Sequence, residues 1–413
     1  MEKKKISASL TLILLCWLVY ACSYVGKVNY AANINQVMEF FKVDHSSAGL
    51  ASTFFFFAYG AGQVINGLFC KRYNLKWIIF GSLVVSGLIN LTVGITNNFA
   101  LIKYLWFFNG LAMSVLWPSL IRLLSESLDK SVMPKASMVM GTTVATGTFL
   151  VYSLSALFVK INFKLSFYLP ACIFFVVACI WISSCSHLIA KAKAENQESE
   201  TQVSSVAEKK EMSYSKMLIM LIICTLAIYG VATNLIKDGL TTWVPSILKE
   251  QYDLGGSLSI ILTLALPVVS IFANAFAIKV HSKISDFVLQ CAITFFCAGL
   301  IIGGVIASIS LNQFIITLIG FTAVCFLVSS CNSVITSIFP LFMKGKVNSG
   351  RIAGILNGFC YIGSTISSYG LGEIADNCGW TIVFWVLFGV CALVVVIAVI
   401  YLLLRKRIYE NKD

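Results

Sequence analysis

Long apolar segments alternate with short polar segments along almost the whole chain. Each apolar segment holds about 20 residues or more, which is the length that a helix needs to cross the hydrocarbon core of a bilayer. In lipid only helices satisfy their backbone hydrogen bonds singly, and these segments are too long for barrel strands. The pattern predicts an all-α membrane protein with twelve transmembrane helices: 8–34, 47–70, 77–96, 100–125, 136–159, 165–186, 217–248, 257–279, 286–308, 312–342, 351–375 and 380–404.

One polar segment is much longer than the others. It covers 187–215, is rich in Lys, Glu, Gln and Ser, and is typical of a flexible linker. It separates an N-terminal six-helix bundle (1–186) from a C-terminal one (216–413). A shift of 210 residues brings the loop after the second span onto the loop after the eighth. Two parallel six-helix repeats with a binding site between them are an architecture of secondary transporters.

Composition and charge support this interpretation. Hydrophobic residues make up 58% of the chain and charged residues 12%, whereas soluble domains carry roughly 25% charge. The net charge of +12 could indicate a nucleic-acid partner, but the charges lie in short loops, so we expect a lipid bilayer and no nucleic acid as partner. Most Lys and Arg lie on the side of the N-terminus, which predicts that both termini are cytoplasmic. The expected location is the plasma membrane or a bacterial inner membrane, with an uncleaved first span.

Cysteines and motifs give no sign of enzymatic chemistry. Almost all of the 14 cysteines fall inside apolar segments, where Cys behaves as a small hydrophobic residue. The sequence contains no zinc-ligand spacing, no CxxC and no GxxxxGK[ST] phosphate loop. It therefore predicts no metal and no cofactor, and no catalytic residues can be named.

Two lysines lie inside predicted spans, Lys27 in the first and Lys237 in the seventh, 210 residues apart. A charge in the bilayer costs roughly 2.5–3.5 kcal/mol on insertion scales and by default indicates a functional site. Two cations that face each other across a central cavity would attract an anion. The alternatives are structural or uncharged lysines, or pairs with Glu39 or Asp238. Asp238 adjoins Lys237, but successive residues of a helix point about 100° apart.

Several motifs carry a resemblance to a known family. They are YVGKVNY (24–30), GLFCKRYNLK (67–76), WFFNGLAMSVLWPSL (106–120), KDGLTTWVPSIL (237–248) and GRIAGILNGFCYIG (350–363). In the second of these, Lys71 and Asn74 replace the usual Asp and Gly. Together the motifs resemble the organophosphate:phosphate antiporter family of the major facilitator superfamily. That family includes glycerol-3-phosphate and hexose-phosphate exchangers and a related sugar-phosphate sensor. The resemblance implies the major facilitator fold and anion exchange by alternating access.

Residues of that family carry over only in part. The two family arginines correspond to Lys27 and Lys237, whereas family tyrosines are matched by Tyr20, Tyr24, Tyr59 and Tyr361. A family lysine corresponds to Gln63, and a family histidine falls near Val144. Arginine pairs bidentately with phosphate or carboxylate, whereas lysine is a compact point charge. The expected substrate is therefore a small organic anion, either a phosphate ester or a carboxylate.

The sequence thus predicts a monomeric secondary active transporter that exchanges anions by alternating access. Lys27 and Lys237 would bind the anionic group. Asn357 and Tyr361 lie four residues apart and so share one helix face. The residues expected to orient the rest of the substrate are Tyr24, Asn29, Tyr59, Gln63, Asn357 and Tyr361.

Two other functions remain open from the sequence. One is a non-transporting membrane sensor of a sugar phosphate. The other is a proton-coupled anion symporter that uses Asp238 as the coupling carboxylate. The three histidines, His45, His187 and His281, lie at span ends or in loops, and carboxylates inside spans are scarce. This scarcity favours exchange or uniport over proton symport.

Overall fold

The computed structural model describes residues 8–69, 74–128, 132–199, 216–343 and 349–410. Nearly all of these residues are helical, and none of them forms a strand. The described residues form twelve helical passes, which run up and down through two bundles. The first bundle consists of α1 (Ala8–Ala32), α2 (Ile34–Phe41), α3 (His45–Phe69), α4 (Leu75–Ile95), α5 (Phe99–Ser114), α6 (Leu116–Ser127), α7 (Met133–Gly141), α8 (Thr143–Phe158) and α9 (Leu165–Ser199).

The second bundle repeats this arrangement. It consists of α10 (Lys216–Tyr252), α11 (Gly256–Thr263), α12 (Ala265–Ser270), α13 (Ala273–His281), α14 (Phe287–Ser310), α15 (Phe314–Ser333), a π-helical turn (Val334–Ile338), α16 (Phe339–Phe342), α17 (Ser349–Cys378) and α18 (Trp380–Glu410). Five of the described passes are interrupted: α1–α2, α5–α6, α7–α8, α11–α13 and α15–α16. The break between α5 and α6 lies at Val115, where Pro118 cannot donate the backbone hydrogen bond that would continue α5.

We call the end of the bundle at which α1 begins and α9 ends the terminus end, and the opposite end the distal end. At the terminus end, the backbone nitrogens of Ala8 and Ser9 donate to the Glu195 carboxylate over 2.8 and 3.1 Å. The predicted linker begins at His187, whereas α9 continues to Ser199. Residues 187–199 contain many good helix formers, and the contact with α1 holds them against the bundle. The remainder of the predicted linker, 200–215, lies outside the described residues.

Eleven of the described helical passes are long and apolar enough to cross a membrane, as predicted from the hydrophobic pattern. The twelfth, α17, has the length but is richer in Gly, Ser and Asn. It packs against α3 of the first bundle and α10 of the second, so much of its surface contacts protein rather than lipid. Glycine permits this close approach, because a Cβ on Gly363 would lie 2.0 Å from the Val231 carbonyl oxygen.

Polar contacts join the two bundles mostly at the distal end. Tyr152 donates to the Thr241 carbonyl oxygen over 2.9 Å, and Ser246 donates to Asn35 over 2.6 Å. Lys249 forms an ion pair with Glu39. Towards the terminus end, the described residues include one such contact, in which Asn357 donates to the Gln63 side-chain oxygen over 3.0 Å. The described polar contacts between the bundles are therefore concentrated at the distal end, whereas α3 and α17 pack against each other towards the terminus end as well.

Candidate functional site

A central cavity of about 300 Å³ lies between the two bundles. Residues of α1, α3 and α5 and of the α7–α8 pass form one wall, and residues of α10, α12–α13, α15 and α17 form the other. Both membrane lysines line this cavity, Lys27 from the first bundle and Lys237 from the second. The described lining residues include one carboxylate, Asp238. The structure therefore brings together the three charged residues that the sequence singled out.

Aromatic rings surround the ammonium group of Lys27. Its Nζ lies 4.1 Å from the centre of the Tyr59 ring, 4.9 Å from Tyr24, 5.4 Å from Tyr361 and 5.9 Å from Phe55. Ring faces carry partial negative charge, so these contacts stabilise a cation by about 0.5–2 kcal/mol each. Tyr361 comes from the second bundle, so the two bundles build this cage jointly.

Lys237 forms an ion pair with its neighbour along the chain. Its Nζ lies 3.4 Å from Oδ1 of Asp238, with 27% of the lysine side chain and 16% of the aspartate side chain exposed. From the sequence this pair was not expected, because successive residues of a helix point about 100° apart. The pair forms because the long lysine side chain bends back towards the carboxylate while both residues still face the cavity.

A buried chain of hydrogen bonds holds the other oxygen of Asp238. The hydroxyl of Ser364 donates to Oδ2 over 2.5 Å, and Asn234 Nδ2 donates to the Ser364 hydroxyl over 3.1 Å. Asn332, which lines the cavity, donates in turn to Asn234 over 2.8 Å. The chain thus links α15, α10 and α17 around one carboxylate.

The other predicted substrate residues fall into different surroundings. Tyr24 and Tyr361 line the cavity. Tyr59 is buried just behind it, with its ring 4.8 Å from that of Tyr361. Gln63 and Asn357 bond to each other nearer the terminus end and are absent from the cavity wall.

Asn29 lies away from the cavity in this structure. Its side chain is fully buried and donates to Asn90 over 2.8 Å and to the Ser166 carbonyl oxygen over 2.9 Å. These partners lie on α4 and α9, so Asn29 joins helices inside the first bundle. An Asn two residues after Lys27 shares its helix but not its face, because the two positions differ by about 200°.

Sequence reasoning missed several polar residues of the cavity. Thr148, Ser270 and Asn274 line it, on passes where no motif drew attention to them. The sequence carries two signals for this surface. Val144, at the place of a family histidine, lines the cavity. Ser329 and Ser333 line it too, and they belong to SSCNSVITS (329–337), a polar run inside an apolar span that is expected either to line a pore or to join helices. Among the described residues, no group of three His, Cys, Asp or Glu side chains could hold a metal ion.

Comparison with known proteins identifies the family and the fold of this chain. The sequence profile of the Major Facilitator Superfamily matches residues 16–368. A crystal structure of a bacterial homolog of the human lysosomal transporter Spinster, in an inward-facing and occupied conformation, has a similar fold. Its TM-score is 0.72 over 96% of this chain and 97% of that chain, at 12% sequence identity. The predicted fold is confirmed.

Relatives with curated names are distant in sequence. A probable hexose phosphate transport protein of Chlamydia pneumoniae is 20% identical over 82% of this chain and 78% of its own length. The membrane sensor protein UhpC of Escherichia coli (strain K12) is 25% identical, but the match spans 24% of this chain and 23% of the sensor. The glucose-6-phosphate exchanger SLC37A2 of Xenopus tropicalis is 28% identical over 31% of this chain and 29% of its own. These relatives confirm the resemblance that the sequence motifs indicated.

Proposed function

This chain belongs to the Major Facilitator Superfamily and is a transporter rather than an enzyme; from that premise we propose that it exchanges small organic anions across a membrane by alternating access. Lys27 and Lys237 bind the anionic group. The observation that carries this proposal is that two lysines from different bundles line one cavity at the bundle interface. An anion between them attracts both bundles, and rocking of the bundles exposes it to one side at a time.

The surroundings of the two lysines support a small substrate. A cavity of about 300 Å³ is at the lower end of the range of ligand pockets, roughly 300–1,000 Å³. Tyr24 and Tyr361 contribute aromatic surface for the uncharged part of the substrate. Tyr59, Gln63, Asn357 and Asn29 would contact substrate only in a different arrangement of the helices.

The substrate class is a phosphate ester or a carboxylate. The names of the relatives favour a phosphate ester, since they include a probable hexose phosphate transport protein and a glucose-6-phosphate exchanger. Lysine lacks the planar fork with which arginine pairs to phosphate, so the two lysines do not select a phosphate ester over a carboxylate. Uptake of glucose 6-phosphate, glycerol 3-phosphate, inorganic phosphate and pyruvate in parallel would separate the two classes.

The orientation follows from the distribution of Lys and Arg. We place both termini in the cytoplasm of a cell bounded by a plasma or bacterial inner membrane, with a monomer as the transporting unit. The described contacts at the distal end would then close the outer side, and the cavity would open inwards. Labelling of the termini by an impermeant reagent in intact and permeabilised cells tests this orientation.

The two-lysine site is tested by counterflow into proteoliposomes. Lys27→Ala and Lys237→Ala should each lower exchange by at least about tenfold. Each variant removes one of the two cations that pair with the buried substrate anion, and loss of such a partner costs several kcal/mol of binding free energy. Lys103→Ala is the matched control, since Lys103 lies beside the Phe99 ring on α5 and not in the cavity. Wild-type exchange in both cavity variants would refute the proposal.

A sensor of sugar phosphates is a second candidate. The observation in its favour is the local similarity to a membrane sensor protein of Escherichia coli. A sensor would bind glucose 6-phosphate with the same two lysines, yet proteoliposomes would show no flux. Binding measured by thermal stabilisation, combined with the exchange assay, separates the two functions.

Proton-coupled symport is a third candidate and depends on Asp238. This carboxylate lines the cavity beside Lys237, so its protonation would change the charge that the substrate meets. A symporter would accumulate anion when an inward proton gradient is imposed, and Asp238→Asn would abolish that accumulation. Exchange that is indifferent to the gradient would exclude this mode.

A further inference from the structure

Each cationic group in the cavity already has a partner within the protein. Lys27 faces four aromatic rings, and Lys237 faces Oδ1 of Asp238 at 3.4 Å. The two partners differ in kind, because rings attract a cation without carrying net charge, whereas a carboxylate neutralises it. Asp238 is therefore the one group in the described cavity wall that can take the place of a substrate anion.

The position of this carboxylate is fixed from behind. Ser364 is 0% exposed and Asn234 3% exposed, so neither side chain contacts solvent or an occupant of the cavity. Their hydrogen bonds leave Oδ2 of Asp238 turned towards α17 and Oδ1 free to face Lys237. The other contacts of the Ser364 hydroxyl are with Asn234 and with the Cys360 carbonyl oxygen of its own helix, so Ser364 can act on substrate only through Asp238.

The net charge of the cavity wall affects how readily the substrate-free protein changes conformation. With lysine and aspartate in their ordinary charge states, the described cavity wall carries a net charge of +1, and without Asp238 it would carry +2. Closing the cavity at both ends removes water from these charges, which costs several kcal/mol per uncompensated ion. An empty protein with both lysines uncompensated would cross that closed state slowly.

We propose that Asp238 is a built-in counter-anion for Lys237, held in place by Ser364, and that it allows the empty transporter to change conformation. A substrate anion displaces the carboxylate from Lys237 on binding, and the carboxylate returns when the substrate leaves. This inference rests on the proposed function, because it takes Lys237 as a ligand of the anion. The inference predicts that the wild-type protein carries out both net uptake and exchange, and that net uptake is the slower of the two.

The first test compares two fluxes in proteoliposomes, with glucose 6-phosphate, inorganic phosphate and pyruvate as probes. Net uptake into vesicles without internal anion requires the empty protein to return, whereas exchange with a preloaded anion does not. Asp238→Asn should keep exchange within about threefold of wild type and lower net uptake at least tenfold. A wild-type protein that exchanges without any net uptake would overturn the inference, as would an unchanged ratio in the variant.

Ser364→Ala tests the positioning role. It removes the donor to Oδ2 without touching the cavity wall, so the ratio of net uptake to exchange should fall about threefold or more. Ser367→Ala is a matched control on the same helix, because Ser367 is equally buried and donates only to the Ser364 carbonyl oxygen in the described contacts. Equal ratios in the two serine variants would remove Ser364 from the proposal.

A measurement without substrate completes the test. Hydrogen–deuterium exchange of the distal segment 34–50 reports opening of that end in the empty protein. It should be slower in Asp238→Asn than in wild type, and equal rates would contradict the inference. If Lys27→Ala and Lys237→Ala retain transport, the two-lysine site itself fails. If they lose it while Asp238→Asn keeps the wild-type flux ratio, only the counter-anion fails.

Discussion

The imidazole Nδ1 of His45 lies 2.6 Å from Oδ1 of Asp376, a residue 331 positions later in the chain. On its other side, Nε2 lies 2.7 Å from the Glu250 carboxylate. Glu250 also accepts a hydrogen bond from the Trp380 ring nitrogen over 2.8 Å. One side chain at the start of α3 therefore joins the first bundle to α10 and α17 of the second at the distal end.

Removal of this bridge should loosen the distal end. In His45→Ala, Glu250 and Asp376 lose their shared partner, and two carboxylates near one vacated position repel each other. We expect hydrogen–deuterium exchange of segment 34–50 to become at least threefold faster, because that end opens more often. Glu126→Ala is the control, since its partner Arg122 lies in the same helix. Unchanged exchange in His45→Ala would show that the bridge does not hold this end closed.

The same bridge predicts a dependence on pH. A protonated imidazole donates from both nitrogens and can satisfy both carboxylates, whereas a neutral one donates to only one of them. Glu250 and Asp376 are the charged groups that face the ring, and Trp243 and Trp380 pack against it. Closure of the distal end should weaken as pH rises from about 5.5 to about 8. Opening rates corrected for intrinsic exchange should lose this trend in His45→Gln.

Asp44 stabilises the start of α3. Its carboxylate accepts a hydrogen bond from the Ser47 backbone nitrogen over 2.8 Å, and the Ser47 hydroxyl and backbone together hold its pKa below the ordinary value. Asp44→Ala should cost about 1 kcal/mol. A carboxyl whose pKa is lowered by folding stabilises the native state above its unfolded pKa and loses this effect as pH falls through its folded pKa. The difference in melting temperature between Asp44→Ala and wild type should therefore shrink as the pH falls from about 7 to about 3. At pH 7, Asp44→Ser should recover most of the melting temperature that Asp44→Ala loses, because serine also caps a helix.

The bond between Gln63 and Asn357 separates two roles for these residues. If they only join the bundles on the terminus side, Gln63→Ala and Asn357→Ala should leave the apparent KM within about twofold and change the maximal rate. If they orient substrate in another conformation, the KM should rise about tenfold or more, as for loss of a good polar contact. Thr92→Ala is a control whose hydroxyl bonds only to Leu88 of its own helix among the described contacts.

Close packing of α10 and α17 depends on glycine. Because a Cβ on Gly363 would meet the Val231 carbonyl oxygen at 2.0 Å, Gly363→Ala must push the two helices apart. We expect a loss of at least about 2 kcal/mol, observed as a lower melting temperature and a lower yield of folded protein. Gly354→Ala on the same helix is the control, since a Cβ there meets nothing within 4 Å. Equal stability of the two variants would contradict the packing argument.

Apolar length and the spacing of charges determined much of this protein by themselves. From them we predicted the helical passes, the division into two bundles and the two lysines at matching positions. This was possible because residues that face lipid must be apolar, so a charged residue inside a span stands out. The motif at 237–248 also identified the lysine–aspartate neighbours whose side chains reach the cavity. In these respects the requirement for apolar surface over each span left little for tertiary structure to decide.

Only the tertiary structure decided which side chains meet. Tyr361 joins the cage around Lys27, Ser364 reaches Asp238, and His45 meets Asp376, although hundreds of positions separate some of these partners. Asn29 matched a family position, yet its amide bonds inside the first bundle. Helical periodicity fixes the direction of a side chain around its own axis, but its partners depend on how each helix is rotated and offset against its neighbours, and that is set by packing across the whole interface.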